Sequence, residues 1–239
     1  MTISATKYVI VNADDFGQSP GINRGIITAH EHGIVTSASL MVRWPAAAAA
    51  AAYARAHARL SLGLHLDLGE WICRGGTWLP AYEVVATEDA ASVATEVGRQ
   101  LAAFRDVVGR DPTHIDSHQH AHMEEPMRSI VLAMGRRLHV PVRRCDPVVG
   151  YCGDFYGQTA EGDPCSEILS VAGLLRIMSE LPTGVTELGC HPGDASDLDT
   201  VYRDERAQEM RILCDPQVRA ALHELGLELC AFNSIPANL

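Results

Sequence analysis

Short β-rich apolar runs alternate with helix-period runs along the chain. Residues 7–12 (KYVIVN) read as a first strand, and a helix follows over about 21–32 with Gly33 as its stop. Residues 37–42 form the next strand, and Pro45 at a first helical position opens an alanine-rich helix. A third strand covers 60–66, whereas 67–89, which holds Trp71, Trp78, Pro80 and a Gly-Gly pair, shows no periodicity. Helix returns over 90–108, and 114–117 is a fourth strand. Residues 126–138 are amphipathic, with Ile130, Met134 and Leu138 at helical spacing, and 140–143 is a fifth strand. A second irregular stretch, 147–164, is rich in Gly, Tyr and Asp. Then come a helix over 168–181, a strand over 185–190, a helix from Asp215-Pro216 to Leu225 and a strand over 227–232.

This order amounts to about seven βα units with no repeat, charge block or Ser/Pro linker between them, so residues 1–239 are expected to form one domain. Right-handed crossovers favour an α/β fold built as an irregular, TIM-barrel-like (β/α) barrel of about seven parallel strands. An open doubly wound sheet is the competing arrangement.

Composition narrows the partners more than the fold. The 239 residues are 47% hydrophobic and 21% charged, ordinary for a globular chain able to bury a sizeable core. Nineteen Lys and Arg against thirty Asp and Glu give a net charge of −11, which makes nucleic acid and anionic membranes poor partners. The seven cysteines (Cys73, Cys145, Cys152, Cys165, Cys190, Cys214 and Cys230) are odd in number and form no Cys-x-x-Cys pair. A reducing compartment is the simpler expectation than a disulfide scaffold or a thiolate zinc site. The opening MTISATKYVIVNADD has no long apolar stretch, and the alanine run of 46–52 leads into Tyr53, Arg55 and Arg59. Neither a signal peptide nor an anchor is expected, and the reading is cytoplasmic.

The chemistry-bearing residues fall where the strands end. Asp14 and Asp15 follow the first strand, His65 ends the third, His118 the fourth and His191 the sixth. In parallel α/β folds that rim binds ligands. Adjacent Asp14 and Asp15 repel each other, which a bound cation would relieve; a solvated turn with one Asp capping a helix competes. In HIDSHQHAH, an extended chain would put Asp116, His118, His120 and His122 on one face. Four such groups at a buried strand end require a metal or a water-filled cleft, unless the run is an exposed loop. Leu64, Leu66 and Leu68 alternate with His65 and Asp67, where a satisfied core histidine is the bland alternative. His191 precedes Pro192-Gly193, which stiffens its backbone, and Cys190 beside it reads as core. Gly17-Gln18-Ser19-Pro20-Gly21 mimics a nucleophile elbow, but Pro20 has no N–H to serve an oxyanion. Ser19-Pro20 is a helix cap instead. His30, His32, His57, His139 and His223 lie in or near helix ends and read as structural.

NADDFG, GLHL, HIDSHxHxH and CHPG, together with GIVTSAS at 33–39, Asp154-Phe155-Tyr156-Gly157 and the segment from Arg206 to Leu222, resemble the YdjC-like carbohydrate deacetylases. That group includes the chitin-disaccharide deacetylases. The resemblance covers nearly the whole chain in family order. It implies an irregular (β/α) barrel and one divalent metal held by Asp15, His65 and His118, with open positions for water. It further implies Asp14 as general base and His191 as general acid, with His120, His122, Tyr156 and Arg206 contacting substrate or orienting the site; Asp67, on the same face as His65, is a further candidate for that role. Magnesium or zinc is the expected metal, with manganese, cobalt or iron compatible. The partner would be a small amino sugar, and a homodimer is compatible. This chain has His118-Gln119-His120 where the family often has three histidines, and Asp67-Leu68-Gly69-Glu70 departs from the usual step after His65. The implied activity is removal of an N-acetyl group with release of acetate. Hydrolysis of another acyl amide or ester, or sugar binding without turnover, are the alternatives.

Overall fold

A computed structural model describes residues 6–74, 76–159, 165, 167–194, 197 and 202–236. The first half runs β1 (Lys7–Phe16), α1 (Pro20–Glu31), β2 (Ser37–Leu40), α2 (Ala47–Ala56), β3 (Ser61–Leu66), β4 (Gly69–Arg74), β5 (Thr77–Glu83) and α3 (Ala90–Val108). The second runs β6 (Ile115–Ser117), a 3-10 segment (His118–Met123), α4 (Met127–Leu138), β7 (Val149–Cys152), α5 (Val171–Glu180), β8 (Gly184–Cys190), α6 (Arg203–Leu213), α7 (Pro216–Glu224) and β9 (Leu227–Leu229).

Capping residues set the helix starts. Ser19 accepts from the Ile22 N–H ahead of Pro20, confirming the cap reading. Asp89, Ser170 and Asp215 do the same for α3, α5 and α7. Val9, Ile10 and Val11 are fully buried, as a strand covered on both faces requires. No described helix is long and apolar enough to cross a membrane.

Every pairing in the main sheet is parallel, and its order is β6-β3-β2-β1-β8-β7, with β9 beside the start of β1. Among the described residues this path has two ends, so the sheet is a curled half-barrel and not a closed ring. The expected fifth strand at 140–143 shrinks to one bridge, Val142 to Ile115. Pro141 lacks the N–H that a longer ladder would use. Across the resulting gap the Arg143 side chain reaches Asp116 of β6 at 2.7 Å, Asp14 of β1 at 2.6 Å and Glu187 of β8 at 2.7 Å. A buried cation thus joins the two sides where backbone pairing stops.

Three other expectations change. Residues 67–89 contain the antiparallel hairpin β4–β5, whose register pairs Cys73 with Trp78 and Trp71 with Pro80. Its exposed faces carry no alternation, which hid it from a periodicity reading. The stretch 147–164 contributes β7, while 160–164 lie outside the described residues. Helix α6, between the expected sixth strand and the last helix, packs against α1.

Candidate active site

A strand normally sends neighbouring side chains to opposite faces, which would separate Asp14 from Asp15. Asp15 escapes this by a left-handed backbone (φ 66°), and the β1–β2 register shifts between Ala13 and Phe16. Both carboxylates therefore enter one cleft. Gln119 and His120 are also left-handed (φ 50° and 55°), so the run after His118 is a tight turn. The extended-chain expectation for Asp116, His118, His120 and His122 is thereby corrected, and these four side chains take up different neighbours. Close approach matters at two glycines of α1. A Cβ on Gly25 would sit 2.3 Å from Gly193 Cα and one on Gly21 would sit 1.8 Å from the Asp194 carbonyl oxygen, so α1 abuts the turn after His191 through these two positions.

Asp15, His65 and His118 come together at the cleft floor, with donor atoms all within 4.8 Å of one another. Asp15 Oδ1 lies 3.3 Å from His65 Nε2 and 3.1 Å from His118 Nδ1. Its other oxygen accepts from Arg206 at 2.5 Å. Burial pushes the Asp15 carboxyl up, but Arg206 and His118 hold it well below the carboxylate range. Burial would lower His118, yet Asp15 carries it up to about 9. His65 moves upward as well, with Asp116 and Asp14 outweighing burial.

The fit of these residues to a divalent cation rests on His65. Its Nδ1 donates to Asp116 Oδ1 at 2.8 Å, which points Nε2 toward Asp15, where a cation would displace the Nε2 proton. That Nε2 is buried without a hydrogen-bond partner, as is His118 Nε2. A mixed carboxylate and imidazole set suits borderline divalent metals. Asp14, His65 and Asp116 form a second compact group. Arg143 already engages both of its carboxylates, so a further cation there would face a like charge.

Asp14 and His191 occupy the adjoining wall. Asp14 accepts from Arg143 Nη1 at 2.6 Å, from Nη2 at 2.7 Å and from Asn12 at 2.9 Å. Burial works to raise it, but Arg143 prevails and the carboxyl stays ionised. His191 Nε2 is 3.8 Å from Asp14 Oδ2, and burial pulls the imidazole down to about 4.

The remaining expected residues separate clearly. Tyr156 stacks on Tyr202 (centroids 4.5 Å apart), meets the His191 ring edge-on and lines the cleft. His120 also lines it, 3.3 Å from the Tyr151 hydroxyl, with a buried Nδ1 lacking a partner. His122 is buried between Ser117 (2.7 Å) and the Arg143 carbonyl (3.1 Å), a structural setting. Asp67 is fully buried beneath the hairpin, where it accepts from Arg43, Trp44 and Tyr82. It is not part of the cleft wall. Arg206 reaches the site by binding Asp15.

Four residues escaped the sequence reading. Arg143 follows a strand-like run, so the rim rule that found the histidines could have found it. Glu187 is a charged residue inside a buried strand, a visible anomaly, and burial raises it to about 7. Glu209 sits on α6 with no sequence signal. It accepts from the His191 N–H and from the Tyr202 hydroxyl (2.6 Å), and burial raises it to about 8. Gln119 holds the hairpin through the backbone of Trp71.

The cleft measures about 1720 Å³ and extends from this floor to the hairpin on one side and to β7 and α5 on the other. A model of the YdjC-like protein family matches residues 8–224. A chitooligosaccharide deacetylase of Serratia marcescens is 33% identical over 96% of this chain and 99% of its own length. A carbohydrate deacetylase of Geobacillus stearothermophilus is 31% identical over 95% and 97%. A solved Enterococcus faecalis V583 structure, described as a candidate cellobiose-phosphate cleavage protein, superposes with a TM-score of 0.76 at 25% identity, covering 96% of this chain and 98% of that one.

Proposed function

The chain belongs to the YdjC-like protein family, and from that premise we propose that it is a metal-dependent carbohydrate deacetylase that hydrolyses the N-acetyl group of an amino sugar or short oligosaccharide. One observation carries the metal dependence: Asp15, His65 and His118 meet on the cleft floor, and the buried His65 Nε2 that faces them has no hydrogen-bond partner. Magnesium or zinc suits this donor set, with manganese, cobalt or iron also compatible. A divalent cation held by Asp15, His65 and His118 would supply Lewis-acid polarisation of the acetamide carbonyl and would lower the pKa of the attacking water toward about 7.

The chain's own groups move the protons. Arg143 keeps Asp14 ionised at neutral pH, so its carboxylate can take a proton from the attacking water. His191 arrives neutral, because burial holds it near 4, and must acquire the proton it delivers. Asp14 Oδ2, 3.8 Å from His191 Nε2, is the nearby source. The water oxygen bonds to the acyl carbon, the C–N bond breaks, and His191 protonates the departing amine. Acetate and the free amino sugar remain. Tyr156 and Tyr202 wall the His191 ring and limit its rotation.

Replacement Asp14→Asn preserves shape and leaves Asp15, His65 and His118 in place. Acetate release should fall by about 10²–10⁴-fold while bound metal, measured by elemental analysis, stays at wild-type stoichiometry. Undiminished turnover in that variant removes Asp14 as the base.

A further inference from the structure

The hairpin is the least buried regular element, yet it is firmly tied. A two-stranded hairpin is marginal by itself in water. Here Gln119 fixes it at two points: its Oε1 accepts from the Trp71 N–H at 2.8 Å and its Nε2 donates to the Trp71 carbonyl at 2.7 Å. Gln119 directly follows His118, and Glu70 of the hairpin lies 3.8 Å from His118 Nε2. At the base, the Tyr82 hydroxyl donates to buried Asp67 at 2.9 Å and Trp44 meets the Tyr82 ring edge-on. Gly69, with φ 147°, lets the Trp71 ring fold close over the backbone. The hairpin is thus a fixed wall, in register with the turn that carries His118.

That wall presents aromatic surface to the cleft. Directly opposed residues of an antiparallel pair share a face, so the Cys73–Trp78 and Trp71–Pro80 pairs put Trp71, Cys73 and Trp78 on one side. All three line the same continuous cleft as Asp15, His118 and His191. Trp78 is 56% exposed, an unusual placement for the largest apolar side chain. Thr87 and Glu88 add a hydroxyl and a carboxylate to the lining of the same cleft. Flat apolar rings in a cleft that also carries polar groups match a pyranose ring, which has one C–H face and a rim of hydroxyls.

We propose that Trp78 and Trp71 form a platform for the sugar unit adjoining the one that loses its acetyl group, and that Gln119 sets this platform in register with the metal-binding turn. The identity of the ligand rests on the deacetylase reading above; the platform itself rests on the hairpin's geometry. The chain then discriminates by sugar length through the hairpin, while the reacting acetamide is handled at the floor.

The test measures binding and turnover separately, with N-acetylglucosamine and N,N′-diacetylchitobiose as probes. Trp78→Ala should weaken calorimetric binding of the disaccharide, and lower its kcat/KM for acetate release, by about ten-fold, with the monosaccharide changed less than about two-fold. Trp78→Phe should recover part of the loss, and Gln119→Ala should move both quantities in the same direction as Trp78→Ala. Equal loss for both sugars, or no loss for either, overturns the platform. A change of Trp78→Ala from dimer to monomer in sedimentation also overturns it, because the patch is then a subunit interface. A wild-type protein that prefers the disaccharide in binding but frees no acetate sinks the deacetylase reading and leaves the platform. Acetate release indifferent to Trp78 does the reverse, and a protein that binds neither sugar sinks both.

Discussion

Asp14 and Asp15 are neighbours in sequence and live in opposite circumstances. Asp14 is saturated by protein: Arg143 grips both of its oxygens and Asn12 adds a third bond. The Arg143 guanidinium also serves Asp116 and Glu187, so one buried cation organises three carboxylates from three strands. Asp15 turns one oxygen to Arg206 and the other to two imidazoles whose Nε2 atoms lack hydrogen-bond partners. The first region completes its own electrostatics, and its Arg143 network both braces the strands and keeps Asp14 ionised. The second leaves buried donor atoms unsatisfied, which a folded chain tolerates where a ligand completes them. Stability should therefore reside in the Arg143 network that fixes Asp14, and cation binding on the Asp15 side.

The largest effect expected from breaking this contrast is on the scaffold. Arg143→Met abandons three buried carboxylates, and stability should fall by about 3–5 kcal/mol in denaturant unfolding. A midpoint within error of wild type would show that the network is not a scaffold. A smaller effect sharpens the division from the other side. Asp116→Asn retains shape but weakens the acceptor that orients His65, so metal affinity in calorimetry should drop by about 10–100-fold. If stability falls while affinity holds, Asp116 belongs to the scaffold alone.

The smallest effect concerns Glu209, which lies behind His191. Its folded pKa of about 8 is raised above the unfolded value near 4.5, so the folded state keeps a proton that the unfolded chain releases. Its favourable contribution is complete below about 4.5 and is lost as pH rises through about 8. Glu209→Gln cannot titrate, so its stability should lose less than the wild type between those values. Identical pH profiles in chemical denaturation would mean that Glu209 is already ionised in the fold.

Much of this was legible in the chain alone. Alternation, apolar runs and cap residues are local properties, and they placed β1, β3, β8 and most helices within a few residues. Because parallel strands all end at one rim, strand ends sufficed to gather Asp14, Asp15, His65, His118 and His191. The hairpin was not legible, since its exposed faces impose no hydrophobic period. Nor was the fate of residues 140–143, because pairing depends on what a neighbouring edge can accept.

The sequence by itself determined that Asp14, Asp15, His65, His118 and His191 stand at strand ends on one rim, because β-strand period and helix capping act over a few residues. Only the tertiary structure decided how they are used there. The left-handed turns at Asp15, Gln119 and His120, the three carboxylates around Arg143, and the carboxyl of Glu209 behind His191 all depend on partners distant in sequence. Their conformations and charges are set by burial and opposing charge, which no local pattern encodes.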